Sequence, residues 1–432
     1  MTESRARTQL SRNRGMSLAV VLGLLIAACG PAPTGSLSAG PSQPATAPPD
    51  ADAIYRTIAA QVSAIRQLDA PDRVEPVTID GPTLVANIAK EFKTSNPPAE
   101  IAKSERLLKV MGLLPSDASL SRIYLDLQGS QVIGYYDPKV KKLFIVSRDG
   151  ALGAIEEVTY AHEFTHELQD KHFDLNSLGL DTIKDDSDRV LATLSLVEGD
   201  AVSAQTAWMV ANLTPTQLGE VAAEAADPAM LAVLARTPRI LLETSLFPYQ
   251  TGATFVGQLQ GTGGYASVNA AYKHPPTTTE QILHPGAPAA ALEPIRLIVP
   301  ADLATQFGAG WTATAQDTFG ELQTRVWLRE GGVAGDVART AAEGWGGDRL
   351  VLMDGSGGAT AAVWTTAWDT AEDAQAFESA ARTAIAGLHL DALVSSEGSR
   401  VAMVIRSSGG PDDATARDIL NRLVLGPVVI ID

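Results

Sequence analysis

Residues 155–171 read IEEVTYAHEFTHELQDK and contain His162-Glu163-Phe164-Thr165-His166. Apolar Ile155, Val158 and Leu168 recur there without a Gly or Pro, so the segment predicts one helix. Residues four apart share a helix face. Two imidazoles at that spacing can reach one metal ion. Glu163 beside them can lean over an open coordination position and take a proton from metal-bound water. The chain has only six histidines in 432 residues, so two of them one turn apart carry information. The bland alternative is a surface helix with two solvated imidazoles.

A tetrahedral site with an open position needs a third protein ligand. Residues 186–210, DSDRVLATLSLVEGDAVSAQTAWMV, predict a second helix. Glu198 lies among Leu191, Leu194, Ala201 and Val202 at helical offsets, a carboxylate on an apolar face. Burying it unpaired would cost several kcal/mol, so it needs a partner. A metal ion held by the first helix is the natural one. The alternative is an exposed Glu at the edge of the stripe.

HEFTH followed about thirty residues on by EGDA resembles a gluzincin metallopeptidase. The resemblance implies a zincin-like α+β fold, one Zn2+ bound by His162, His166 and Glu198, and Glu163 as general base. It also implies a peptide or protein substrate, cleaved at an internal bond by metal-activated water. In many gluzincins an Asp four residues past the third ligand supports a ligand His. Here that position is Val202. The nearest acid, Asp200, stands two residues along and points to another side of the helix. The chain is also similar to a group of bacterial proteins that share four phrases. They stand here as HEFTHELQDKHFDL (162–175), LVEGDA (196–201), PPTTTEQILHP (275–285) and GWGGDRLVL (344–352).

Hydrolysis of an amide passes through an oxyanion, which a second donor commonly stabilises. His284 closes the TTTEQILHP phrase and is the favoured candidate for that catalytic role. His274-Pro275-Pro276 resembles a His-Pro segment of membrane-bound gluzincins, although Glu280 occupies the position of their Arg. Tyr249 and Tyr265 follow, and a capping or packing role is equally open for His284. His172 is off the ligand face and reads as structural, and His389 reads as a surface residue.

The N-terminus fixes the setting. Arg5, Arg7, Arg12 and Arg14 precede an apolar run, 17–28, too short to span a bilayer permanently. Ile26-Ala27-Ala28-Cys29 resembles the lipobox of bacterial lipoproteins, which implies cleavage before the sole cysteine and acylation of Cys29. An ordinary signal peptide with an incidental Cys is the alternative. Residues 30–49 are a Pro-rich spacer that reaches roughly 60 Å. The chain is therefore expected to be exported and lipid-anchored to the cell membrane or outer envelope, with its soluble body extracytoplasmic. No integral helix is expected. With 33 basic against 50 acidic residues the net charge is −17, which argues against nucleic acid as a partner. One cysteine excludes an internal disulfide.

The expected division is a signal peptide over 1–28, a linker with acylated Cys29 over 29–50, a mainly helical catalytic domain with a small sheet over 51–290, and a small α+β domain over 291–432. Helices are expected at 51–67, 83–93, 99–111, 371–387 and 413–424. Strands are expected at 349–353, 361–368 and 400–406. The two β-rich runs of 131–147 flank Asp137-Pro138 and predict a hairpin, either simply structural or the sheet edge on which a peptide would add. From 154 to about 260 the pattern is helical, ending in a break at Gly261–Gly264. Against the peptidase reading stand two others. One is a catalytically weak or inactive lipoprotein that binds partners, with Trp345, Trp364 and Trp368 available for docking. The other is a zinc hydrolase of a cell-wall amide.

Overall fold

The computed structural model describes residues 51–72, 75–131, 133–146, 152–287 and 292–425. The apolar run, Cys29 and the Pro-rich spacer lie outside the described residues.

The fold is α+β. The chain opens with α1 (Ala51–Arg66), β1 (Val77–Ile79), α2 (Gly81–Ser95), α3 (Pro98–Val110) and α4 (Leu120–Gln131). Asp80 caps α2 by accepting from the Thr83 amide at 2.8 Å. A hairpin follows, β2 (Gly134–Asp137) and β3 (Lys142–Val146). Asp137 turns it by accepting from the Lys139 amide at 2.9 Å. β1 pairs parallel with β3 and β2 antiparallel, so the order is β1-β3-β2 and β2 is an edge strand.

Next come α5 (Ala154–Phe173), α6 (Ser187–Asn212), α7 (Pro215–Ala225), α8 (Pro228–Arg236), α9 (Arg239–Ala271) and α10 (Thr279–Leu283). Helices α7 and α8 each start on a Pro behind a capping side chain, Thr214 or Asp227. The expected glycine break is present inside α9, where Gly263 and Gly264 leave helical geometry and Gly264 has φ +64°. The long helices α6 and α9 cross in contact. A Cβ on Gly199 would lie 2.2 Å from the Gly252 carbonyl oxygen, and one on Gly252 would lie 2.4 Å from the Ser195 carbonyl oxygen. Only glycine permits backbones that close.

The remaining elements are α11 (Leu303–Phe307), β4 (Thr312–Asp317), α12 (Gly320–Glu330), α13 (Gly335–Ala342), β5 (Trp345–Asp354), β6 (Thr360–Trp368), α14 (Ala371–Gly387), β7 (Asp391–Glu397), β8 (Arg400–Arg406) and α15 (Asp413–Leu425). Their five strands form an antiparallel sheet in the order β4-β5-β6-β8-β7. Leu350, Leu352, Trp364 and Met403 pack on one face with α12 and α14. Val351, Met353, Val363 and Val404 pack on the other with α11 and α15. Cover on both faces explains why β5, β6 and β8 read as unbroken apolar runs.

Two expectations change. The sheet of 291–432 forms, and on its α11/α15 face it has a core of its own. Its other face is shared with the preceding residues. One buried cluster joins Leu107, Met111, Leu191 and Ile240 to Trp327, Trp364 and Phe377. The Trp327 indole donates to the Met111 carbonyl at 3.0 Å, and Arg106 pairs with Asp354 at 2.7 Å. The tryptophans offered for docking are core. Trp345, Trp364 and Trp368 are 1%, 0% and 1% exposed. Asp348 accepts the first two indole N–H groups, at 3.1 and 3.0 Å, and Thr366 the third, at 2.8 Å. Large rings bury the most apolar area, and the sheet supplies partners for their polar edges. Among the described residues, no helix is long and apolar enough to cross a membrane.

Candidate metal centre

Helix α5 is buried on nearly every side, which its weak amphipathic pattern reflects: Val158, Tyr160, Ala161, Phe164 and Leu168 are all fully buried. It is held between α1, α6 and the hairpin. That enclosure fixes its polar residues where water cannot compete.

The structure brings His162, His166 and Glu198 together. His162 Nε2 lies 3.2 Å from His166 Nε2. Each lies 3.3 Å from Glu198 Oε2. A tetrahedral ion with bonds of about 2.0–2.1 Å holds its ligand atoms roughly 3.3 Å apart. The triangle therefore already has the dimensions of a three-ligand metal site.

The other ring nitrogens explain its orientation. His162 Nδ1 meets Gln205 Oε1 at 2.9 Å, and His166 Nδ1 meets Gln169 Oε1 at 2.9 Å. The Gln169 amide can be assigned from its surroundings, because its Nε2 donates to the Val197 carbonyl at 3.0 Å and to Asp200 Oδ2 at 3.1 Å. An oxygen acceptor at each Nδ1 places the proton there and turns a lone pair on Nε2 inward. Once His166 gives up its second proton, three lone-pair atoms converge, and Glu198 Oε2 is buried without a hydrogen-bond partner. Such a set calls for a cation.

Charge around the cluster says the same. Burial works to raise the Glu198 carboxyl, but His166 and His162 outweigh it and hold it at about 2. Burial works to lower the His166 imidazolium, but Glu198 outweighs it and lifts it to about 9. The pocket thus retains one positive charge, which a metal ion would replace. Glu163 is 1% exposed and packed against β2. Burial raises its carboxyl, the two histidines and a hydrogen bond from the Tyr136 backbone oppose the rise, and Glu198 adds to it. Its Oε2 is buried without a hydrogen-bond partner.

A cleft of about 760 Å3 opens on the cluster, lined by His166 and Glu198 together with Tyr135, Tyr136 and Phe144 of the hairpin. The hairpin is tied to α5 through Asp170, which accepts from the Tyr136 hydroxyl at 2.7 Å and pairs with Lys141.

The second-donor candidates separate. His284 does not line this cleft. Its Nε2 bonds Glu321 Oε2 at 2.8 Å, joining α10 to α12. His274 is exposed. Tyr265 stacks under Arg66, its centroid 4.6 Å from the guanidinium carbon. Tyr249, 1% exposed, is the one candidate whose ring stacks on a ligand ring, 6.3 Å from His162. His172 bonds the Asp69 carbonyl and His389 is exposed, in line with their expected roles.

Asp200, set aside for standing two residues past Glu198, does support a ligand histidine: Gln169 bridges it to His166. Sequence reading also missed Gln169, Gln205, Arg66 and Tyr272. Gln169 follows His166 by three and Gln205 follows Glu198 by seven, both same-face offsets that could have been noticed. Arg66 and Tyr272 leave no local signal.

Residues 306–421 match a family model described as a domain of unknown function, DUF8575. The match covers all five strands of the larger sheet and none of the metal cluster. No curated protein matches the chain, and no solved structure does.

Proposed function

We propose that the chain is a zinc peptidase of the gluzincin type with a zincin-like catalytic half, cleaving peptide or protein substrates at internal bonds. The observation that carries this reading is the triangle of His162, His166 and Glu198, whose edges of 3.2 and 3.3 Å match tetrahedral coordination.

His162, His166 and Glu198 would hold the ion. Zinc bound there supplies a Lewis acid for a carbonyl oxygen and lowers the pKa of water. Gln205 and Gln169 hold both imidazoles by Nδ1, so that Nε2 faces the site. The Glu163 carboxylate takes the proton of the attacking water, and the same carboxyl delivers it to the leaving amine nitrogen. Burial strengthens Glu163 as a base. Edge strand β2 flanks the cleft with Tyr135, Tyr136 and Asp137, so an extended peptide can add alongside it. The binding-module alternative has lost its tryptophan surface, since those rings are buried.

In the same reading the chain is exported and held at the envelope by acylated Cys29. Cys29→Ser should move the protein from the membrane fraction to the soluble extracytoplasmic fraction, and retention in the membrane would count against the anchor. For the chemistry, Glu163→Gln should keep the metal and lower hydrolysis of a peptide library at least about 100-fold. Unchanged cleavage would remove Glu163 from the mechanism.

A further inference from the structure

Away from the metal cluster, the same cleft has a second character. Its walls are apolar, from Ile88 and Phe92 on the α2 side and Phe144 on the hairpin. Every charged residue lining it outside the cluster is at least partly exposed, Lys90, Glu91, Lys139 and Asp181 among them, and so belongs to the rim.

Two carboxamides differ. Asn96 and Gln128 line the cleft and are only 4% and 8% exposed. Each follows an aromatic ring by one helical turn, Phe92 and Tyr124, and those rings meet at 6.0 Å. Asn96 Nδ2 donates to the Phe92 carbonyl at 3.0 Å, which fixes the side chain and leaves Oδ1 without a partner among the described residues. Gln128 makes no hydrogen bond with any described residue, although it is more than nine-tenths buried. The other buried polar groups nearby are satisfied: the Tyr136 hydroxyl donates to Asp170, and the Tyr135 hydroxyl accepts from Asn87 at 3.1 Å.

The free carboxamide atoms keep a little contact with solvent, so an occupant of the cleft that displaces that water must bond them or leave them unpaired. Gln128 offers a donor and an acceptor, and Asn96 offers an acceptor. Neither brings charge, so a charged group seated there would lose its water without a counter-ion. We infer that this end of the cleft is a specificity pocket for a neutral substrate side chain that ends in a carboxamide, Gln or Asn, its stem lying along the apolar wall and its amide pairing with Gln128 and Asn96. The inference rests on the peptidase reading, since the pocket shares the cleft with His166 and Glu198.

The test uses N-acetylated, C-amidated octapeptides, varied one position at a time. Retention is measured on the zinc-loaded full chain carrying Glu163→Gln, and cleavage on the wild type. Gln or Asn should be enriched at one position. Adding Gln128→Leu should remove about tenfold of that preference in favour of Leu or Met. Gln128→Glu, close in shape, should turn it toward Lys or Arg and guards against a folding artefact. Cleavage with no such preference, or a profile that neither variant moves, overturns the pocket and leaves the peptidase reading intact. Selective retention of Gln peptides with no cleavage by the wild type overturns the peptidase reading and supports the pocket.

Discussion

Arg66 and Asp200 form an ion pair that solvent does not reach: Arg66 Nε lies 2.7 Å from Asp200 Oδ1, and both side chains are 0% exposed. The two residues are 134 positions apart. Asp200 Oδ2 also accepts from Gln169 Nε2 at 3.1 Å and from the Tyr272 hydroxyl at 2.9 Å. One carboxylate thus ties α1, α5 and the end of α9 to α6, immediately behind His166.

Gln169→Leu should leave the ion pair in place, release His166 and remove the bonds from Gln169 to the Val197 carbonyl and Asp200. Losing such a support typically weakens metal binding 10–100-fold. Zinc titration against a competing chelator should show a drop of that order with a small change in unfolding midpoint. Asp200→Asn should behave differently, destabilising the fold by about 3–5 kcal/mol because Arg66 is left buried and uncompensated. Equal effects of the two changes on metal affinity and stability would contradict this division of roles.

Gly199 is the residue after the third ligand, and its Cα faces the backbone of α9. Gly199→Ala should push α6 and α9 apart, lower stability by about 3 kcal/mol and displace Glu198 from the histidines. Thermal unfolding and metal content together check it. A variant that is as stable as the wild type and fully loaded would mean that the helices do not pack this closely.

In the metal-free protein the His166 imidazolium is disfavoured by burial but favoured more strongly by Glu198, reaching about 9 from an ordinary 6.5. With His166 raised and Glu198 lowered, the pair stabilises the fold fully between about pH 4.5 and 6.5, fades in acid as Glu198 is protonated, and loses its contribution as the pH rises through 9. The metal-free protein should therefore lose stability between about pH 7 and 10, and the zinc-loaded protein much less. Zinc uptake at pH 7 should release about one proton. Calorimetry in buffers of different ionisation enthalpy measures that release, and uptake without it would place the proton elsewhere.

Much of this was legible in the chain. His162, Glu163 and His166 stand at helical spacing, and Glu198 is a carboxylate on an apolar face, so their convergence follows from periodicity. β5, β6 and β8 are apolar enough to declare themselves. β1 has three residues and β4 is TATAQD at an edge, too short or too polar to register. The tryptophans of the larger sheet were misread because a ring looks alike in sequence whether it faces a partner or a core. His284 sits in a distinctive phrase, but its bond to Glu321 spans 37 positions, and no local pattern records it. Asp200 was set aside because it stands two residues past Glu198, but it does support His166, through Gln169, and its partner Arg66 lies far away in the chain.

The account stands on the three-ligand cluster, so metal content is the most direct test. Full-length protein, stripped with chelator, exposed to zinc and freed of excess, should carry about one zinc ion per chain by plasma mass spectrometry. Glu198→Ala and His166→Ala should each lose most of it while retaining helical content. Less than about 0.2 zinc per wild-type chain, or full loading of both variants, would contradict the cluster as a metal centre.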